Sequence, residues 1–310
     1  MASVAAALRS KLRIPCIGAP LFIVSNPKLV VAQCKAGVVG SFPALNARGP
    51  DDALDRWITE IKQQLEPGDA PFAVNQIVHR SNGRLMKDME TIVKHEVPIV
   101  ITSLGARPEI NDAVHSYGGV VFHDVINDKF ARKAVDKGAD GLVLVAWGAG
   151  GHAGTQSPFA LVSEVREWWD GPIALSGAIG TGAGVVAAVA AGADFAYVGS
   201  PFIATHEADA SDEYKHAIVD GAADDIVYSN LFTGVSGNYL KASVRNAGLD
   251  PDDLPESDPS AMDFSGSKAW KDIWGCGQGI KPVKTVGATG ALVDRYVSEY
   301  EAARARVAAA

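Results

Sequence analysis

Along the first two-thirds of the chain, short apolar runs rich in β-branched residues alternate with longer stretches of helical periodicity. The runs are Ile14–Gly18, Val38–Ser41, Phe72–Asn75, Ile99–Thr102, Val120–His123, Leu142–Trp147, Ile173–Ser176 and Phe195–Gly199. They read as near-continuous apolar segments, the pattern of strands covered on both faces. Helix-like segments separate most of them: Asp52–Leu65, Met86–His95, Lys129–Lys137, Ser163–Trp168 and Ala183–Ala191. Eight such units predict an α/β fold of the (β/α)8 TIM-barrel type, since eight parallel strands close a barrel. A doubly wound open sheet is the other arrangement of the same pattern.

After Ala222 the texture changes. Residues 223–283 carry Gly234, Gly237, Gly248, Pro251, Pro255, Pro259 and Gly266, with acidic residues dense over Asp250–Asp258. Long connections of that kind predict a small lid or substrate domain over 223–283. The barrel then occupies 1–222 and is completed by a C-terminal helix within 284–310. Trp270, Trp274 and Gln278 are candidates to cover a bound group, although local packing is the commoner fate of such aromatics. The opening MASVAAALRSKLRIP lacks a basic start followed by a sustained apolar core and reads as a short amphipathic lead-in helix.

Composition narrows the class. Hydrophobic residues make up 47% and charged residues 21% of 310, as in ordinary globular enzymes. A net charge of -8, without a block of lysine or arginine, argues against a nucleic-acid partner. No apolar run is long enough to cross a bilayer, so no membrane partner is expected. Cys16, Cys34 and Cys276 are too far apart for a metal-ligand pair or a disulfide framework, which points to the cytoplasm and to no structural metal.

In a barrel the chemistry lies just after each strand. Those positions read Gly18-Ala19-Pro20-Leu21, Ser41-Phe42-Pro43, Asn75-Gln76, Ser103-Leu104-Gly105, His123-Asp124, a glycine-rich loop holding His152, Ser176-Gly177-Ala178-Ile179-Gly180 and Gly199-Ser200-Pro201-Phe202. Two of these, Ser176–Gly180 ahead of a small-residue helix and Gly199-Ser200, suit a phosphate, because unpaired N–H groups at helix starts attract anions. Glycines that merely allow tight turns would give the same letters. Neither a Walker motif nor GxGxxG after the first strand is present. In the loop Gly148-Ala149-Gly150-Gly151-His152-Ala153-Gly154, the glycines admit a flat group close to the backbone, and His152 is the candidate acid/base. Of the other histidines, His95 and His115 fall in helical stretches. Strand alternation turns only one of His123 and Asp124 inward. A flavin mononucleotide satisfies both halves of this pattern, and so does the substrate of a sugar-phosphate isomerase; the latter lacks a glutamate or lysine base at a strand end.

The loop Gly148–Gly154, Ser176–Gly180 and Gly199-Ser200-Pro201-Phe202-Ile203-Ala204-Thr205 together resemble the nitronate monooxygenase (2-nitropropane dioxygenase) family. Gly18-Ala19-Pro20, Val74-Asn75 and Trp274-Gly275-Cys276-Gly277-Gln278-Gly279 are similar to further family segments, so the resemblance covers nearly the whole chain. It implies FMN, with its phosphate on Gly177, Gly180, Gly199 and Ser200 and its ring against Ala19, Pro20, Asn75 and Gln278. Gly18, Gly150, Gly151 and Ser176 complete the implied cofactor set. His152 matches the family's active-site histidine. It would hold a nitronate, or take the α-proton of a nitroalkane, before oxidation with O2 to a carbonyl compound and nitrite. A homodimer is left open. The chain departs from the family at Gly148, where an acidic residue is usual, at Asp124, where an amide or lysine is usual, and at Gln76, His79 and Arg80. The scaffold also resembles NAD(P)H-dependent quinone reductases and flavin-dependent enoyl-thioester reductases. For those, Arg80, Arg84, Arg107 and Lys241 are the candidate dinucleotide-phosphate ligands. A flavin-binding or sensing protein, with His152 merely structural, is the reading outside enzymology.

Overall fold

The computed structural model describes residues 4–257 and 272–309. Eight parallel strands form one sheet: β1 (Cys16–Gly18), β2 (Gly40–Pro43), β3 (Phe72–Ile77), β4 (Ile99–Ser103), β5 (Val120–Val125), β6 (Gly141–Val145), β8 (Ile173–Ser176) and β9 (Phe195–Val198). Their order is β1-β9-β8-β6-β5-β4-β3-β2. A parallel bridge between Ile17 and Val39 joins the two ends, so the sheet is a nearly closed barrel, as the eight-unit pattern predicts.

Each strand sends side chains both ways, and the interior is filled by Ile17, Val39, Ala73, Ile99, Ile101, Phe122, Val143, Ala174, Phe195 and Tyr197. Phe122 meets Phe195 edge-on at 6.4 Å. Ala5 and Leu8 of the lead-in helix α1 (Val4–Arg9) join that cluster. The outer shell includes α2 (Pro27–Lys35), α3 (Ala53–Gln64), α4 (Leu85–Lys94), α5 (Pro108–His115), α6 (Asp128–Asp136), α7 (Pro158–Arg166) and α8 (Gly182–Ala190). Local chemistry starts several of them: Asn26, Asn127 and Thr181 each accept a backbone N–H as N-caps, and Pro27, Pro108 and Pro158 occupy first turns. The last helix, α12 (Thr289–Ala308), packs against α8, and their backbones approach closely at Gly182. A Cβ on Gly182 would stand 2.1 Å from the Tyr296 carbonyl oxygen.

Beyond β9 come α9 (Ser200–Ile203), α10 (Asp212–Asp220), β10 (Ile226–Ser229), β11 (Gly237–Leu240) and α11 (Lys241–Asn246). β10 and β11 pair antiparallel, and β11 pairs in turn with β7 (Gly151–His152), the loop after β6. The expected lid therefore adds two strands to the loop that carries His152. Ile226, Leu240, Cys276, Ile280 and Val283 also share a core with Val24, Leu29, Ile203 and Tyr214 of the barrel side. Trp274 stacks on Tyr214 at 5.0 Å, which places it in this shared core; Trp270 lies outside the described residues. Among the described residues, no helix is long and apolar enough to cross a membrane.

Candidate active site

The C-terminal strand ends open into a largely apolar cavity of about 630 Å³. Ala19, Pro20, Asn75, Gly150, Gly151, His152, Ser176, Gly177, Gly199 and Ser200, all singled out from the sequence, line it. Gly18, Gly180 and Gln278 stand behind the wall instead. Gly18 is held by the barrel: its carbonyl accepts from Ser41 Oγ, and a Cβ there would lie 2.4 Å from Gln33 Nε2. Gly180 packs on the opposite loop, where a Cβ would stand 1.9 Å from the Gly279 carbonyl oxygen. Gln278 turns toward Gly148, where an added Cβ would be 3.0 Å from its Oε1.

Long-range backbone bonds hold these loops rigid. The Gly148 carbonyl accepts from both Ala178 N (3.3 Å) and Gln278 N (2.9 Å). Asn238 Nδ2 donates to Ala149 O at 2.7 Å, and Gly277 N donates to Ser200 Oγ at 2.9 Å. After β1, Asn46 accepts from Ile23 N and donates to the Leu21 and Ser25 carbonyls. Ile23, Leu104 and Ala178 line the cavity with φ of 58°, 60° and 55°, a region that costs non-glycine residues free energy. Strain of this kind persists where surrounding bonds over-determine the backbone, as Asn46 does for Ile23.

His152 lies opposite Gly237 in the β7–β11 pair. Its Nε2 is 2.9 Å from Thr233 Oγ1, whose hydroxyl donates to the Val235 carbonyl at 3.0 Å. Where that proton stays with Val235, Thr233 accepts from Nε2–H of the neutral ring. Burial pushes the His152 pKa down to about 4, so the ring is neutral over the physiological range.

β4 and β5 form the facing side of the cavity. Asn75 Nδ2 donates to Ser103 Oγ (2.7 Å), and Ser103 Oγ donates to Asp124 Oδ2 (2.5 Å). Burial raises the Asp124 pKa to about 6 despite that bond. Strand alternation turns Phe122 and Asp124 inward. His123 also reaches the cavity, a correction to the either-or expectation, because the space extends over the end of β5 toward Phe130, Lys133 and Ala134 of α6. His123 Nδ1 meets Thr102 Oγ1 at 2.5 Å, and burial followed by Lys133 holds its pKa down at about 4.

These groups set an acid response. The two histidines take protons in the unfolded chain near 6.5 but in the folded chain only near 4. Asp124 works oppositely, from 3.8 to about 6. Between about pH 4 and 6 the unfolded chain thus binds one net proton more from these three groups, and stability falls by about 1.4 kcal/mol for each unit of acidification. Urea midpoints at about pH 4.5, 5.5 and 6.5 should rise along the series in the wild type and level out in His123→Asn. Equal slopes in both proteins would contradict the assignment.

A family model described as nitronate monooxygenase matches residues 79–249. The chain belongs to the nitronate monooxygenase family. A nitronate monooxygenase of Neurospora crassa is 32% identical over 280 residues, covering 76% of this chain and 74% of that protein. An octahydro-indene carboxyl-CoA dehydrogenase of Rhodococcus jostii is 26% identical over 72% of this chain, and the match spans only 62% of that protein. Among solved structures, a nitroalkane oxidase from Streptomyces ansochromogenes superposes with a TM-score of 0.82 at 23% identity, covering 97% of this chain and 99% of that one. FabK from Thermotoga maritima gives 0.80 at 21%, with 98% of each chain covered. At such identities the superpositions establish the barrel fold. Membership in this family makes the chain an oxidoreductase.

Thr233, Asn238, Ser103, Tyr197 and Asn46 belong to no motif in this sequence read alone. Ser103 is the one with a local signal, since it ends a predicted strand. Thr233 reaches His152 across a separation of 81 residues. The cations considered for a dinucleotide stand away from the lining: Arg80 is exposed, Arg84 pairs with Asp88, Arg107 with Glu109 and Lys241 with Asp252. Lys133 is the basic residue that lines the cavity among the described ones.

Proposed function

We propose that the chain is an FMN-dependent nitronate monooxygenase that oxidises alkyl nitronates with O2 to carbonyl compounds and nitrite. The observation that carries this reading is a neutral His152, held by Thr233, in an apolar cavity with no arginine among its described lining residues. The residues fit FMN. The volume suits a flat cofactor with a small substrate, Gly177, Gly199 and Ser200 border one wall, and Asp124 Oδ1 and the Tyr197 hydroxyl are buried polar atoms without a hydrogen-bond partner among the described residues. Gly177, Gly199 and Ser200 would hold the phosphate, and Ala19, Pro20 and Asn75 the ring. Gly180 and Gln278 would act from behind the wall. Bound FMN supplies the electron acceptor that passes electrons on to oxygen.

His152 has two tasks in this chemistry. From a neutral nitroalkane it takes the α-proton. The resulting nitronate beside it stabilises the imidazolium, which offsets the burial that keeps the free ring neutral. A preformed nitronate needs no deprotonation, and His152 then orients it. The apolar walls keep water from the reacting carbon.

A second reading, an NAD(P)H-dependent reductase of quinones or enoyl thioesters, draws on the exposed Ile126 and Phe130 at the cavity edge and on the acyl-CoA chemistry in one relative's name. The paired state of Arg84, Arg107 and Lys241 weighs against it. The protein should purify yellow, and anaerobic stopped-flow mixing should show fast bleaching by alkyl nitronates and slow bleaching by NADH or NADPH. Fast reduction by NAD(P)H with none by nitronates would transfer the chain to the reductases. A colourless protein that FMN cannot reconstitute would remove both readings.

A further inference from the structure

Two strands bring unpartnered polar atoms into one cavity. Asp124 on β5 and Tyr197 on β9 both line it, close enough for the Asp124 charge to act on the phenol. Asp124 Oδ1 and the Tyr197 hydroxyl are shielded from solvent and have no hydrogen-bond partner among the described residues. A buried polar atom left unpaired is costly, because it has lost water and gained nothing in return. Two in one cavity, in a site otherwise well bonded, mark a place shaped for a bound group.

The direction of the surrounding hydrogen bonds shows which oxygen carries a proton. Asn75 Nδ2 donates to both Ile101 O (3.0 Å) and Ser103 Oγ (2.7 Å). Ser103 then donates to Asp124 Oδ2 at 2.5 Å. With Ser103 donating to Oδ2, the proton of the neutral acid sits on Oδ1. Burial favours that neutral form, whereas the Ser103 hydroxyl on β4 favours the ionised one. β6 offers apolar Val143 as the strand partner of Asp124. Across the cavity stands the un-ionised phenol of Tyr197, whose pKa is pushed well up by burial and then by Asp124. On its own strand His123 is turned to Thr102. Lys133 of α6 and neutral His152 line the cavity further round. Burial is the main cause of the raised Asp124 pKa, about 6, and the Ser103 bond opposes it.

We propose that neutral Asp124 and Tyr197 together seat one acceptor edge of the bound flavin ring, a carbonyl oxygen or ring nitrogen, so that protonation of Asp124 switches cofactor retention. This rests on the FMN reading above. With the proton on Oδ1 the edge receives two hydrogen bonds from a dry floor. Once Asp124 ionises, one donor becomes a carboxylate facing lone pairs, and the bond turns into repulsion. Binding that requires the proton weakens by up to about tenfold per pH unit above the pKa of the free site.

The test titrates apo-protein with FMN, following flavin fluorescence, from about pH 5 to 8. The FMN phosphate itself ionises near about pH 6, and Asp124→Asn reports that contribution alone. The amide of Asp124→Asn accepts from Ser103 on one side and donates into the cavity on the other at every pH. The ratio of the wild-type Kd to the Asp124→Asn Kd should rise roughly 10- to 100-fold across the range, with its bend near about pH 6. Tyr197→Phe should weaken binding roughly 5- to 10-fold at every pH and keep the wild-type slope. Ser103→Ala, which removes the bond that favours ionisation, should move the bend to higher pH, and it serves if Asp124→Asn does not fold by circular dichroism. A ratio independent of pH, or a bend that Ser103→Ala leaves in place, overturns the proposal while leaving the flavin reading standing. Absence of FMN binding to any folded variant at any pH overturns both.

Discussion

His152→Ala is expected to retain the fold and the cofactor while lowering turnover of a neutral nitroalkane by roughly two to four orders of magnitude. The expectation follows from the position of the ring. Thr233 holds Nε2, and burial keeps the imidazole neutral. Alanine removes that acceptor. The β7–β11 pairing runs through backbone groups and survives the change. On a preformed nitronate the loss should be smaller, because no proton has to leave carbon. Oxygen uptake with both substrate forms, alongside the flavin spectrum, measures the difference. Equal losses on both would make His152 a positioning residue only, and no loss on either would make it structural.

Gly180→Ala is expected to damage the protein through packing. The sequence pattern placed Gly180 among phosphate ligands, and on that basis an aspartate there would act by charge. The geometry predicts otherwise: any Cβ at Gly180 would stand 1.9 Å from Gly279 O, and Gly279 itself packs so closely on Ala178 that its own Cβ would be 2.6 Å from the Ala178 carbonyl. Two loops are pressed backbone to backbone, with no flexible side chain to yield. Overpacking of this kind costs about 1–3 kcal/mol, a fall in Tm of roughly 2–4 °C for each kcal/mol in a chain of this size. Because the segment Gly277–Gly279 also borders the cavity, flavin affinity should fall with stability. Gly180→Ala and Gly180→Asp should be similarly destabilised in thermal melts. An alanine variant that melts like the wild type, beside an aspartate variant that alone loses FMN, would restore the charge explanation.

The cavity edge shows how local and distant information combine. The loop after β6 is legible from its glycines and from a lone histidine at the end of an apolar run. Its geometry is fixed from elsewhere: Asn238 grips Ala149, the 277–279 segment grips Gly148, and β11 turns the loop into a strand. Those partners lie in residues whose glycine, proline and acidic texture predicts only a small lid. In the same way Asn46, an ordinary asparagine after β2, sets the conformation of Leu21–Ser25 after β1.

By itself the sequence determines the eight α/β units, because the apolar runs and the helical periods between them are local patterns, and a strand covered on both faces must be apolar wherever it sits; the Ile17–Val39 bridge is what closes them into a barrel rather than an open sheet. The sequence likewise determines that function gathers at the strand ends and that His152 is the acid/base candidate. Tertiary structure decides the rest. Which histidine nitrogen is basic depends on a hydroxyl 81 residues away. Whether Asp124 is charged depends on burial beneath β4, β9 and their side chains, which have no signature near position 124. Whether a glycine serves a ligand or a neighbouring backbone depends on what stands opposite it: Gly199 borders the cavity, whereas Gly180 borders Gly279. The physical reason is common to all three. Secondary structure is governed by interactions within a few residues, whereas protonation, tautomer and close approach are governed by whatever the closed barrel brings into contact.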